Sequence, residues 1–80
     1  MSPTVLRFKN CRFHFWSHEE SRMHVHVLSP DGEAKFWLEP IVALEENHGF
    51  REHQLREIQR IVEAHRHEII RAWKSYFKKS

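Results

Sequence analysis

The chain has little of what interrupts or cross-links a fold: one cysteine, two glycines and three prolines in 80 residues. A single thiol, Cys11, excludes an internal disulfide framework. No apolar run approaches the roughly 20 residues needed to span a bilayer, so no membrane partner is expected. The opening Met-Ser-Pro-Thr carries no signal-peptide core, and a reducing cytoplasm is the expected location. Excess charge of one sign is also lacking. Thirteen Lys and Arg stand against 11 Asp and Glu, for a formal charge of +2, and the two signs are interspersed along most of the chain. That balance permits an RNA or DNA partner without demanding one. With no linker, repeat or low-complexity segment, residues 1–80 read as one domain, which buries only roughly 60 to 65% of its unfolded surface.

What the chain does have is eight histidines and a 12% aromatic content. The stretch Met23-His24-Val25-His26-Val27 alternates with a period of two. As a strand it sends Met23, Val25 and Val27 to one face and both imidazoles to the other. Three further segments read as strands: Thr4 to Phe8, Phe13 to Ser17 and Ala34 to Leu38, the first two separated by a Lys9-Asn10 turn. Ser29-Pro30-Asp31-Gly32 is the strongest hairpin signal, because Pro presets φ and Gly tolerates positive φ. Pro40 ends the fourth strand. Phe13, Phe15, Val25, Val27, Phe36 and Leu38 then share a buried face, while Arg12, His14, Trp16, Lys35, Trp37 and Glu39 share the other with His24 and His26.

Ile41 to Leu44 is ambiguous, either a short strand or one helical turn, and Asn47-His48-Gly49 breaks whatever precedes it, so residues 40–50 are read as a loop with local helix. After Arg51 the period changes. Leu55, Ile58, Val62, His65, Ile69, Ala72 and Tyr76 recur at spacings of three and four, widened by Ile61, Trp73 and Phe77, which predicts one amphipathic helix over 51–77. Its length would be roughly 40 Å. A small sheet cannot cover that much, so the helix either breaks near His65 or buries its distal residues Trp73, Tyr76 and Phe77 against another chain. A homodimer and a complex with a small protein partner both satisfy the second case. The expected fold is α+β: a small antiparallel sheet packed against a long C-terminal helix.

The chemistry of the second sheet face admits several readings. His24 and His26 as proton-exchanging groups, with Arg7, Arg12 or Lys35 holding a phosphate, would suit metal-independent RNA cleavage. Trp16 and Trp37 would stack unpaired bases in that scheme, or anchor a protein partner. A binding surface without catalysis uses the same residues, with His14 among them. The plain alternative packs both histidines beneath other side chains, hydrogen-bonded to backbone. Zinc needs companions, and Cys11, His14, His18 and Glu39 do not stand in Cys-x-x-Cys or His-Glu-x-x-His spacing, so no metal and no cofactor is expected. Cys11 beside Arg12 would have a lowered thiol pKa, although no fixed partner for nucleophilic catalysis can be read.

Arg7-Phe8, His24-Val25-His26-Val27, Glu33 through Pro40, Asn47-His48-Gly49-Phe50, Leu55-Arg56-Glu57-Ile58 and His65-Arg66-His67-Glu68 to Ala72-Trp73 together resemble a bacterial domain-of-unknown-function family. It is the family that includes DhiT-type toxins of type II toxin-antitoxin pairs, and the likeness runs from Thr4 to Phe77. The resemblance implies a cytoplasmic toxin whose partner is a small antitoxin, with His24 and His26 central to its working face. The chain departs from the family pattern where Arg22 and Met23 stand in place of prolines before the His-Val-His-Val strand.

Overall fold

The computed structural model describes residues 4–15 and 22–77. Five strands, β1 (Thr4–Phe8), β2 (Cys11–His14), β3 (His24–Ser29), β4 (Gly32–Trp37) and β5 (Ala43–His48), precede two helices, α1 (Glu52–Ala64) and α2 (Arg66–Phe77). The strands form one antiparallel sheet in the order of the sequence, β1-β2-β3-β4-β5. Each neighbour in sequence is therefore a neighbour in space, the arrangement that short turns favour. The architecture is α+β, with helices covering one sheet face.

Local chemistry sets the turns. Lys9 adopts φ 55°, the left-handed geometry a tight β1–β2 turn requires, and Phe8 pairs directly with Cys11. That close pairing starts β2 two residues before the expected Phe13, and the strand runs to His14; Trp16 and Ser17, expected to continue it, lie outside the described residues. In the β3–β4 hairpin Ser29 pairs with Gly32, and the Ser29 hydroxyl accepts from the Asp31 N–H at 3.0 Å. Gly32 is required by crowding: a Cβ there would lie 2.4 Å from the backbone oxygen of His48.

Two expectations are corrected. Residues 43–48, expected as part of a loop, form the edge strand β5. They lie flat against β4 and bury almost nothing, so they carry no periodic signal. Its exit is fixed by Asn47, whose Oδ1 accepts from Phe50 N and whose Nδ2 donates to Phe50 O, both at 3.1 Å. Likewise, the single helix over 51–77 is interrupted at His65, where φ −110° and ψ 19° leave the helical region. Hydrogen bonds continue across the interruption, His65 N to Ile61 O at 3.0 Å and Ile69 N to His65 O at 2.9 Å. Just beyond it Arg66 donates through Nε to the Leu38 carbonyl at 2.7 Å, tying the start of α2 to the end of β4. The break is the first of the two solutions to the overhang problem.

Cys11, Phe13, Phe15, Val25, Val27, Ala34, Phe36 and Leu38 form the sheet's contribution to the core. The helices contribute Ile58, Val62, Ile69 and Trp73. Phe13, Phe15 and Phe36 are fully buried, and each contributes about 1.5–3 kcal/mol of hydrophobic stabilisation. Trp73, expected to serve a partner, is 7% exposed within the chain. Its ring lies 5.2 Å from Phe15, edge-on, and 4.3 Å from Phe77. Tyr76 and Phe77 are partly buried against the same Phe15. The break at His65 lets α2 spend these aromatics on its own sheet.

Candidate functional site

The face of the sheet opposite the apolar core carries a rank of side chains that crosses all five strands. Thr4 pairs with His14, His14 with His26, His26 with Lys35, and Lys35 with Glu46. Antiparallel partners stand on the same face, so these residues are side by side. A second rank, one pair along, joins Arg7, Arg12, Leu28, Glu33 and His48. A third begins with His24 opposite Trp37. Arg7, Arg12, His14, His24, His26, Lys35 and Trp37 are thereby placed on one side of the sheet, although β2, β3 and β4 come from separate stretches of sequence. Trp16, placed with them by sequence reasoning, and His18 lie outside the described residues.

The three imidazoles touch. His14 and His26 stack with centroids 5.7 Å apart and planes 27° from parallel, and His24 meets His26 edge-on at 5.1 Å. Their environments differ sharply. His24 is 1% exposed, and its Nδ1 lies 2.7 Å from the Arg22 carbonyl. Its ring is enclosed by Trp37 at 5.7 Å and Trp73 at 5.1 Å. A histidine held in that way is a packed, hydrogen-bonded side chain of the kind the plain reading anticipated. His14 is also buried, at 2% exposure. His26 is only half-buried, and its pKa is lowered to about 3. Burial is the principal cause, followed by the charges of His24, His14 and Lys35, all of which oppose an imidazolium. His26 is neutral at physiological pH.

Trp37 is clamped. The Arg22 guanidinium lies 4.1 Å and the Lys35 ammonium 4.8 Å from its ring centroid, and its Nε1 donates to Glu45 Oε1 at 2.9 Å. Arg22 is itself anchored, donating through Nε and Nη2 to the Glu39 carbonyl at 3.2 and 3.0 Å. Sequence reasoning noted Arg22 only as a departure from the family pattern and missed this contact. The available signal was its position just before the histidine strand, within reach of a cross-strand tryptophan. Arg12 is half-buried, and its Nε has no hydrogen-bond partner among the described residues.

Cys11 lies on the other side of the sheet, in the core, and the expected lowering of its pKa is reversed. Burial pushes the thiol up, outweighing the relief from its hydrogen bond to Ser29. Desolvation of a thiolate exceeds any benefit from a neighbouring cation whose side chain points to the opposite face. Among the described residues, no three His, Cys, Asp or Glu side chains are grouped to hold a metal ion, and no helix is long and apolar enough to cross a membrane.

Residues 10–74 match the family described as Domain of unknown function (DUF4160). The chain belongs to that family. The match takes in β2 through β5, α1 and most of α2, so the DUF4160 domain contains the whole histidine rank from His14 to Glu46. No curated protein and no solved structure matches the chain.

Proposed function

We propose that this DUF4160 chain is the toxin component of a bacterial type II toxin-antitoxin pair, working in the cytoplasm through the His14–His26–Lys35 face of its sheet. The observation that carries the reading is the concentration of imidazoles and cations on one face. His14, His26 and Lys35 stand in one rank, with Arg12 and Arg7 in the next. Such a cluster suits an anionic group. Bringing negative charge beside His26 offsets the repulsion from His24, His14 and Lys35 that adds to burial in keeping it neutral. The buried Arg12 Nε is a donor with capacity for an acceptor. The likeness to DhiT-type toxins in the His24-Val25-His26-Val27 strand and the helix through Trp73 supports the same reading.

Within the pair of histidines the work falls to His26. His24 supports the strand and the packing of Trp73, whereas His26 has the exposure to meet a target. The test is induced expression in a bacterial host. The parent chain should arrest growth, co-expression of a cognate small antitoxin should restore growth, and His26→Gln should remove the arrest while circular dichroism stays native. Absence of arrest by the parent would refute the toxin reading; full arrest by a folded His26→Gln would refute the assignment of the face.

A binding surface without catalysis is the second reading, and the neutrality of His26 favours it. A base with pKa about 3 removes protons poorly at pH 7. Under this reading the chain binds a fluorescent single-stranded RNA without cleaving it; under the ribonuclease reading, cleavage products accumulate and fall with His26→Gln.

A further inference from the structure

The sheet ends at β5 on an open edge. The strand pairs with β4 alone, and Leu44 through His48 are all exposed. The opposite edge differs, because α2 packs beside β1 and Val5, Leu6 and Phe8 are partly buried. An open edge presents backbone N–H and C=O groups that a further extended chain can satisfy.

The side chains of β5 sort by face. Leu44 stands opposite Phe36, on the helix side, and Glu46 stands opposite Lys35, on the histidine side. The register shifts between Lys35 and Phe36, which leaves Glu45 as the additional residue, fixed by its hydrogen bond from Trp37. Ile41 at 69% and Leu44 at 42% exposure are the two most exposed large hydrophobic residues in the described chain; Leu44 is in β5 and Ile41 is two residues before its start. The edge is therefore apolar towards one face and acidic towards the other. It is acidic in a chain whose overall charge is +2.

We propose that the β5 edge docks an extended segment of a partner protein in which apolar residues alternate with Lys or Arg. Such a segment adds as a sixth strand, its apolar side chains beside Leu44 and its cations beside Glu46. The same charges exclude β5 of a second copy. In an antiparallel pairing centred on the strand, the Glu45-Glu46 step of one copy faces that of the other, and directly opposed like charges are destabilising. If the glutamates only guarded the edge against aggregation, a basic strand and an acidic one would be equally unable to bind. The proposal stands independently of the toxin reading.

The experiment is a titration of the full chain, labelled with nitrogen-15, with an end-capped octapeptide of alternating Val and Lys. Two control peptides are the same residues arranged as one Val block and one Lys block, and an alternating Val-Glu octapeptide. Saturable shifts and slowed amide exchange confined to residues 43–48 are expected with the alternating basic peptide alone. Glu46→Lys should weaken binding at least tenfold, and Glu46→Gln should weaken it less, each in a chain whose spectrum remains native. Equal binding by the block peptide would mean charge attraction without strand addition and would overturn the proposal. Equal binding by the Val-Glu peptide, shifts centred on β1, or no shift at millimolar peptide would overturn it too.

Discussion

Replacing Trp73 with Ala decides whether the distal helix serves this chain's own core or another molecule. The indole is 7% exposed and fills the space between Phe15, His24 and Phe77, with centroid distances of 5.2, 5.1 and 4.3 Å. Truncation removes the ring from all three and leaves a cavity that only Phe77, near the end of α2, is placed to relax into. Trp-to-Ala changes at such sites cost about 3–5 kcal/mol. In a domain of this size each kcal/mol shifts Tm by roughly 4–8 °C, so the variant should melt at least about 12 °C below the parent. Urea unfolding should show a lower midpoint, with the slope unchanged if the denatured state is unaffected. Sedimentation in parallel reads association. A variant that keeps the parent's Tm and urea midpoint but loses association by about 1–4 kcal/mol, the range for an aromatic interface anchor, would refute the monomer-core placement and restore Trp73 to a partner surface.

Two further outcomes follow from the face and from the hairpin beside β5. His26 takes up a proton near pH 6.5 in an unfolded chain but only near pH 3 in the folded one, so unfolding binds a proton between those values. Its contribution to stability is therefore complete above about pH 6.5 and is lost as pH falls towards 3. The parent's urea midpoint should drop relative to that of His26→Gln across this window, and the His26 ring resonances should stay flat from about pH 8 to 5; a His26 titration near 6.5 would contradict both. Gly32→Ala places a Cβ 2.4 Å from the His48 backbone oxygen and 2.9 Å from Phe50 N, forcing β5 away from the β3–β4 turn. A loss of about 1–3 kcal/mol with faster amide exchange across residues 43–48 is expected, and unchanged exchange there would show that the crowding is relieved elsewhere.

The sequence by itself determined the elements whose side chains alternate between water and core. The period of two around Val25 and Val27, and the spacing of three and four through Ile58, Val62, Ile69 and Trp73, reflect burial on one side. Burial on one side is what periodicity records. The same alternation placed His24 and His26 together on one side of β3, and the turn at residues 29–32 was legible from its Pro-Asp-Gly chemistry, although Gly32 is needed for the close approach of the His48 backbone and not for a positive φ. Tertiary structure decided the rest. β5 is a strand because β4 offers it a hydrogen-bonding edge, and since its residues stay exposed, nothing in their pattern reveals it. The break at His65 precedes the helix whose Trp73 meets Phe15, a contact between residues far apart in sequence that no local pattern reports. The two histidines differ for the same reason: Trp73 encloses His24, which starts β3, while His26, two residues along, is left half-buried beside His14 and Lys35. Alternation tells which face a side chain takes; only the register and the returning helix fix what stands beside it, and so its burial, its charge and its use.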